Sequence, residues 1–472
     1  MNGEYPSIGE AQTGTEVQSM TGAGNFFPPA PMADEIREHL ATTQKGQTAN
    51  TIGNCMIVFR ADSMLRGVIR LNLLTERVDI VRDLGWRRMT AALTDTDMKY
   101  LRLYFEENYG ITSSPKIEDA LAIIANENRY HPIQDCLASL VWDKVPRIRG
   151  CLHHFLGAEQ SDYVETCLTH FLLGAINRVF HPGCKYEEML CLVGGQGAGK
   201  STFFRLLAIQ DEWFSDDLKQ LSDNDVFEKL QGHWIIEMSE MLATSNAKSI
   251  EEIRSFISRQ KETYRTRYES QPKDRLRQCV FGGTSNTVDF LPLDRAGNRR
   301  FLPVMTDPNE AEVHILDNEA ESRAYLLQVW AEAMTIYRSG HYSMKFSKSI
   351  QRQLVEVQKD FMPEDTEAGQ IQGFLEHYTG SMVCSKQLFK EALGHTYDEP
   401  KRWQLHNINE IMNTVVTGWK PFSNPRMFAG YGRQKGWECD NFDNKLSDNE
   451  GGFVELSEEE CRQLELPKEW IA

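Results

Sequence analysis

Residues 194–201, with the sequence GGQGAGKS, have the types and the spacing needed to hold a polyphosphate. They fit the pattern GxxxxGK(S/T) in full, between an apolar stretch, MLCLV, and a helical stretch, STFFRLLA. Glycines here let successive backbone N–H groups turn towards phosphate oxygens, and the helix adds the positive end of its dipole. The sequence therefore predicts a nucleotide-binding loop that comprises Gly194, Gly195, Gln196, Gly197, Ala198, Gly199, Lys200, Ser201 and Thr202.

Two side chains at the end of this loop would complete the phosphate site. The ammonium group of Lys200 can reach the β- and γ-phosphates of ATP, and the Ser201 hydroxyl can coordinate Mg²⁺. A glycine-rich turn without function is the alternative, and the strand before and the helix after argue against it. We therefore expect ATP and Mg²⁺ to be the cofactors.

Acidic side chains follow at the end of a second apolar stretch, GHWIIEMSEM, at residues 232–241. The predicted strand ends at Glu237, and Glu240 comes three residues later. Parallel strands present such groups at their carboxyl edge, where ligands bind. We expect Glu237 to hold Mg²⁺ and one of the two acids to polarise the attacking water. Solvated acids at an ordinary strand end are the alternative.

Two further polar features follow. The stretch CVFGGTSN, residues 279–286, predicts a third strand that ends at Asn286, whose amide could contact the γ-phosphate or orient water. An ordinary Thr-Ser-Asn turn would look the same. The stretch LDRAGNRRFLPV, residues 293–304, then places Arg299 and Arg300 on a turn, either as solvated surface or facing a phosphate.

The elements that must position these groups indicate an α/β domain, because strands and helices alternate from about residue 189 to 305. We divide the chain into a largely disordered segment (1–45), a mainly helical domain (46–150), a P-loop ATPase domain (151–360), a winged-helix-like module (371–440) and an acidic tail (441–472). In the module, WQLHNINEIMNTV would be the recognition-type helix, for contacts with DNA or with protein. Its basic residues are Lys386, Lys390, Lys401, Arg402, Arg426, Arg433 and Lys435.

The composition is that of a globular protein without a membrane span. Hydrophobic residues make up 41% of the 472 and charged residues 25%, and no apolar run approaches the roughly 18 residues of a transmembrane helix. The start of the chain lacks the pattern of a signal peptide, and the ten cysteines form no CxxC pair. We expect a reduced protein in the cytoplasm of a bacterial host cell.

Taken in order, these motifs resemble the virulence-associated protein E family of phage, plasmid and genomic-island ATPases, which is related to superfamily 3 helicases and AAA+-like P-loop ATPases. The resemblance spans most of residues 50–345 and rests on YHPIQDCLASLVWDKVPRI, GGQGAGKST, WIIEMSEM, YRTRYESQPKDRLRQCVFGGTSN and DRAGNRRFLPV. One departure is that Met238 and Ser239 separate Glu237 from Glu240, whereas the helicase pattern often has adjacent acids. The identity of the catalytic base therefore stays open.

The resemblance implies a homo-oligomeric ring in which a neighbouring subunit completes each nucleotide pocket. Arg299 and Arg300 match the family's arginines in GNRRF, and they would act on the phosphate of a neighbour or within their own subunit. A separate primase or replication protein is a possible partner, because the short N-terminal region shows no nucleotidyl-transfer triad.

A basic region surrounds the third predicted strand, although the net charge of the whole chain is −17. Residues 254–300 hold eleven Lys and Arg against five acids, and ETYRTRYESQPKDRLRQCV alternates like a hairpin. In superfamily 3 helicases a hairpin at this point tracks one DNA strand. The resemblance thus implies backbone contacts by Lys261, Arg265, Arg267, Lys273, Arg275 and Arg277; a solvated sheet face or side chains turned into the nucleotide pocket are the alternatives.

These observations favour an ATP-hydrolysing, helicase-like DNA motor that acts on single-stranded or forked DNA in replication or mobilisation of a mobile element. The alternative is a DNA-binding initiator or regulator in which ATP only controls assembly. A small-molecule P-loop kinase fits less well, because no closing lid or acceptor site is evident in the sequence.

Overall fold

The computed structural model describes residues 33–218, 226–239, 247–265, 271–293 and 298–440. The α-helices in these ranges are α1 (Ala33–Glu38), α2 (Ile52–Ala61), α3 (Asp95–Tyr109), α4 (Ser114–Glu127), α5 (Pro132–Ser139), α6 (Ile148–Leu156), α7 (Asp162–Phe180), α8 (Lys200–Leu207), α9 (Val226–Leu230), α10 (Ala247–Ile257), α11 (Glu319–Ser339), α12 (Lys348–Lys359), α13 (Thr366–His377), α14 (Ser385–Gln387) and α15 (Arg402–Thr414). Short 3₁₀ turns span Asp211–Trp213 and Asn298–Arg300, and a π-helical turn, Leu388–Ala392, continues α14.

The strands in these ranges are short, between two and six residues each. They are β1 (Ile69–Asn72), β2 (Arg77–Ile80), β3 (Met189–Val193), β4 (Phe214–Ser215), β5 (Ile235–Ser239), β6 (Lys261–Tyr264), β7 (Lys273–Leu276), β8 (Val280–Ser285), β9 (Phe301–Met305), β10 (Met382–Cys384), β11 (Trp419–Pro421), β12 (Arg426–Phe428), β13 (Gly432–Gln434) and β14 (Gly436–Cys439).

Five parallel strands form the central sheet in the order β4-β5-β8-β3-β9. Strand β3, which consists of the apolar run MLCLV, pairs with β8 on one side and with β9 on the other. Its last residue, Val193, therefore lies beside both Ser285 and Met305. The chain order of the strands reverses at β3, and open α/β sheets bind ligands at such a switch point, outside the carboxyl ends of the strands. The predicted α/β class is confirmed.

Helices cover both faces of this sheet. Leu190 and Leu192 of β3 pack into a core shared with α6, α7, α8 and α11, whereas Cys191 and Val193 face a second core with α9 and α10. A strand buried on both faces needs apolar residues at every position, which explains the uninterrupted run MLCLV.

A glycine lets α8 lie close to the sheet. A Cβ atom on Gly282 in β8 would come within 2.5 Å of the Phe204 ring on α8. Any larger residue would therefore push α8 away from β8. Because α8 begins at Lys200, this contact sets the position of the predicted phosphate loop relative to the strand ends.

The flanking segments have cores of their own. In the N-terminal segment, α3 starts after a capping box at Thr94 and is followed by Gly110 in a left-handed conformation. The sequence did not predict the β1–β2 hairpin, which pairs Ile69 with Ile80 in a segment read as helical.

The C-terminal segment combines α13, α14 and α15 with the antiparallel sheet β10-β14-β11 and the hairpin β12–β13. Its assignment as a winged helix stays a prediction. Across the described ranges of the chain, no helix combines the length and the apolar character that a bilayer crossing requires.

Candidate nucleotide site

The loop between β3 and α8 has a backbone that requires glycine at several positions. A Cβ atom on Gly194 would lie 2.3 Å from the Oγ1 atom of Thr306, so no side chain fits there. Gly197 and Gly199 have φ angles of +84° and +79°, which L-residues with side chains rarely adopt. Gly199 directly precedes α8, so the loop leads into the amino end of that helix.

The Lys200 side chain folds back over this loop. Its Nζ atom donates hydrogen bonds to the carbonyl oxygens of Gly194 and Gly195, each at 2.7 Å, and to Oδ1 of Asn286 at 3.0 Å. All three acceptors are neutral, and only 6% of the residue is exposed. Burial lowers the pKa of Lys200, while the charge of Glu237 partly opposes this. The ammonium group is thus held by partners that do not compensate its charge.

Glu237 is fully buried in the middle of β5, which continues to Ser239, two residues beyond the end that the sequence predicted. Its Oε1 atom accepts hydrogen bonds from Ser201 Oγ and Thr284 Oγ1, both at 2.6 Å. Its Oε2 atom is buried and has no hydrogen-bond partner among the described residues. Burial raises the pKa of Glu237, and the two hydroxyl groups counteract that rise.

These groups fit a hard divalent cation. Mg²⁺ is held by a few carboxylate and hydroxyl oxygens, with water or phosphate in its other positions. The unpartnered Oε2 atom of Glu237 and the adjacent Ser201 hydroxyl supply oxygens of this type.

A cleft of about 270 Å³ joins these residues at the carboxyl edge of the sheet. It is lined by residues 196–202 together with Ser239, Thr284, Ser285 and Asn286. Hydrogen bonds connect the loop residues Lys200 and Ser201 with Asn286 and Glu237, and the role of these residues in nucleotide binding stays a prediction; Glu240 lies outside the described residues. The sequence did not predict the contact between Thr284 and Glu237. The available signal was the position of Thr284 near the end of β8, two residues before Asn286.

Arg299 and Arg300 lie at the opposite edge of the sheet. They immediately precede β9, whose first residue, Phe301, pairs with Met189 at the start of β3. The glycine loop follows the other end of β3, about 13 Å away at 3.3 Å per residue. The structure therefore does not bring these arginines to the loop of their own chain.

The predicted hairpin is present as the antiparallel pair β6–β7, with Glu262 opposite Arg275. Lys261, Arg265 and Lys273 are exposed. Lys261 pairs with Asp274, and Lys273 pairs with Glu76 of the β1–β2 turn at 2.8 Å. Arg267 lies outside the described residues.

The expectation that Arg275 and Arg277 contact a DNA backbone needs correction, because both are buried. Arg277 pairs with Glu262, donates to the carbonyl oxygen of Phe256 at 2.5 Å, and lies over the Phe281 ring. Arg275 donates to the carbonyl oxygen of Tyr264 and stacks on its ring. Alternation along a strand predicts that two side chains share a face, and here the shared face is internal.

Some basic groups of the C-terminal segment are also compensated. Lys386 and Lys390 both pair with Glu399, and Arg426 pairs with Glu438. Lys401, Arg402, Arg433 and Lys435 are exposed.

Comparison with known proteins gives one family match. Residues 137–363 match the model of the virulence-associated protein E-like domain, and this match confirms the predicted resemblance. The matched segment contains the whole central sheet and the cleft. No curated protein matches the sequence.

Solved structures with similarity to the chain include apo forms of the NrS-1 C-terminal region. One is 13% identical, with a TM-score of 0.43, and covers 78% of this chain and 95% of its own. An A form of the same region is 14% identical, with a TM-score of 0.44, and covers 79% of this chain and 96% of its own.

Proposed function

We propose that this chain is a Mg²⁺-dependent ATPase that works as a helicase-like DNA motor in replication or mobilisation of a phage or other mobile element. The observation that carries the proposal is the Lys200 ammonium group, buried on neutral acceptors in a glycine loop. A buried cation without a paired carboxylate favours an anionic ligand, and a phosphate of ATP would supply the missing charge.

Five residues in and beside the cleft would each have a role in ATP hydrolysis. Lys200 would exchange the carbonyl oxygens of Gly194 and Gly195 for β- and γ-phosphate oxygens. Glu237 and Ser201 would hold Mg²⁺, and the bound ion would stabilise the negative charge that develops on the phosphates. Thr284 fixes the rotamer of the Glu237 carboxylate through its hydrogen bond at 2.6 Å. Asn286 would orient the attacking water or the γ-phosphate.

The arginine pair would act on a second copy of the chain. Arg299 and Arg300 lie one strand length from their own phosphate loop, so they can serve only a pocket that another copy presents to this edge. Head-to-tail contacts of this type close into a ring. In other NTPases, arginine side chains stabilise the charge on the phosphoryl group in the transition state of its transfer, and they raise kcat by about 10³–10⁵.

Contacts to single-stranded DNA would come from the exposed cations of the hairpin. Lys261, Arg265 and Lys273 remain at its surface after Arg275 and Arg277 are assigned to the interior. Phosphate contacts of this number give modest, strongly salt-dependent binding.

One observation favours the second candidate, a DNA-binding initiator or regulator. The first turn of α15 exposes Lys401, Arg402 and Trp403, with 63% of Trp403 accessible. Recognition helices contact base edges with their amino-terminal residues. In this function ATP would control assembly, and turnover would not depend on single-stranded DNA.

The deciding experiment measures ATP hydrolysis with and without single-stranded DNA for the native chain and Lys200→Ala. We expect DNA-stimulated turnover that falls about a hundredfold to a thousandfold in Lys200→Ala. Lys359→Ala, which removes an exposed lysine on α12, is the matched control and should keep full activity. Unstimulated turnover together with tight duplex binding would favour the initiator, and native protein without turnover would refute both ATPase functions.

A further inference from the structure

One carboxylate faces both arginines at the amino edge of the sheet. Glu187 lies two residues before β3, and 13% of its side chain is exposed. Its Oε1 atom is 3.3 Å from an Nη atom of Arg299, and its Oε2 atom is 3.6 Å from an Nη atom of Arg300. Lys185 also approaches it, at 3.7 Å. A single acid thus receives three cationic groups, and its charge cannot compensate all of them.

We propose that Glu187 is a positioning residue that divides the work of the arginine pair: Arg300 stays fixed, and Arg299 reaches the phosphate of a second copy. This inference rests on the proposed function, because it needs the pair to act between copies. It also assigns a role to a residue that lies outside every motif of the sequence.

The backbone that carries the pair is hydrogen-bonded to two helices. Asn298 is buried, and its Oδ1 atom accepts a hydrogen bond from Arg254 at 2.8 Å. Gln358 of α12 donates to the carbonyl oxygens of Asn298 and Phe301, both at 2.7 Å. Hydrogen bonds therefore tie the turn that carries the arginine pair to α10 and α12.

The two side chains differ in how firmly they are held. Arg300 is only 22% exposed, and its Nε atom donates to Ser258 Oγ at 3.0 Å in addition to its contact with Glu187. Arg299 is 70% exposed and contacts Glu187 through one terminal nitrogen. Exposed ion pairs are weak and exchange readily, so a phosphate can take Arg299 away from Glu187 while Arg300 remains in place.

Glu187 would keep Arg299 extended from the turn at the orientation needed for this exchange. Without the carboxylate, Arg299 would sample many rotamers, and a guanidinium that is misplaced by about 1 Å can cost about a hundredfold in rate. Because Glu187 leads into β3, which ends in the phosphate loop, the same strand connects the arginine pair with the nucleotide site of its own chain.

Mixed assemblies test this division. The acceptor chain is Arg299→Ala/Arg300→Ala, which keeps its phosphate loop, and the donor chain is Lys200→Ala, which keeps its arginines. We expect the mixture to hydrolyse ATP. With Glu187→Gln added to the donor, kcat should fall about tenfold at unchanged KM, and Glu187→Asp should recover part of that loss. Adding Arg299→Ala to the donor should abolish turnover, whereas Arg300→Lys should keep a measurable part of it.

The outcomes separate this inference from the function on which it rests. A Glu187→Gln donor that restores turnover as well as its parent overturns the role of Glu187, as does an Arg299→Ala donor that still works. If the Lys200→Ala donor restores nothing although native protein hydrolyses ATP, action between copies is refuted, while the nucleotide site stands. Glu356→Gln on α12 is the charge-matched control, and thermal melts of each chain show that the variants fold.

Discussion

Lys200 and Arg277 are two nearly buried cations in one domain, and they have opposite surroundings. Lys200 is 6% exposed, and its three hydrogen bonds go to neutral oxygen atoms at the edge of a cleft. Arg277 is 4% exposed, and its partners are the Glu262 carboxylate, a backbone carbonyl group and two phenylalanine rings. Both residues carry the same charge, yet only one of them has a counter-charge in contact.

This difference separates a ligand site from a structural element. A buried ion pair satisfies its own charge, so Arg277 has nothing to offer an incoming phosphate. A cation on neutral acceptors keeps most of its charge uncompensated, at a cost in stability that a ligand can remove. Charge alone therefore does not identify an anion site, whereas the type of the partners does.

Replacement of Arg277 should have the largest effect on stability. Arg277→Ala should lower the free energy of unfolding by about 3–5 kcal/mol, because it leaves Glu262 buried without its main partner. Urea denaturation measures this loss. The double variant Arg277→Met/Glu262→Leu should recover much of the stability. If Arg277→Ala were as stable as the native chain, the ion pair of Arg277 would not have the structural role assigned to it.

The next largest effect is expected on ATP hydrolysis, from replacement of Glu237 beside the cleft. Glu237→Gln should lower kcat for ATP hydrolysis about a hundredfold, equivalent to about 2.7 kcal/mol, because it removes a charged ligand for Mg²⁺. Steady-state assays over a range of Mg²⁺ concentrations measure this change. Glu356→Gln serves as the surface control, and unaltered Mg²⁺ dependence in Glu237→Gln would contradict the assigned role.

The same variant makes a prediction about pH. Burial raises the pKa of Glu237 in the folded state, so the protonated form favours folding below the unfolded pKa, and this contribution is lost as pH rises through the folded pKa. Glu237→Gln cannot ionise. Its melting temperature should therefore exceed that of the native chain by a margin that grows as pH rises from 4.5 through the folded pKa of Glu237, in the absence of Mg²⁺.

A smaller gain in stability is expected at Lys200. Lys200→Met keeps the length of the side chain and removes the uncompensated charge, so it should stabilise the protein by about 0.5–2 kcal/mol while hydrolysis is lost. Because burial lowers the pKa of Lys200, the charge is shed as pH rises towards the unfolded value of 10.5, and the advantage of Lys200→Met should shrink there. A Lys200→Met variant that is less stable than the native chain would contradict the contrast between Lys200 and Arg277.

The smallest effect concerns the surface of the hairpin. Glu76 pairs with Lys273 at 2.8 Å and with Arg275 at 3.3 Å, and Glu76→Gln should cost about 0.2–1 kcal/mol of stability. The same change should raise affinity for single-stranded DNA a few-fold at low salt, because Lys273 loses its competitor. Fluorescence anisotropy across a salt series checks this, and equal affinities at low salt would argue against a role for Lys273.

The sequence predicted the parts whose chemistry is local. The order of strand, glycine loop and helix around Lys200 follows from residues that are adjacent in the chain. The meeting of Glu237 and Asn286 with the loop could be predicted because parallel strands share a carboxyl edge.

Features that depend on distant packing could not be predicted in this way. The burial of Arg277 requires Phe256 and Phe281, and no local pattern reports that these rings cover the guanidinium group. The β1–β2 hairpin has strands of four residues, too short for a clear alternation, and Glu187 has no motif around it.

The separation of the phosphate loop and the arginine pair along β3 has a consequence for stoichiometry. If each pocket needs a loop from one copy and arginines from the next, a single chain contains two half-sites and no complete one. An open row of n copies then has n − 1 working pockets, and only closure into a ring makes the number of pockets equal to the number of chains. Activity per chain would therefore rise with protein concentration, and it would reach a plateau once the rings have closed.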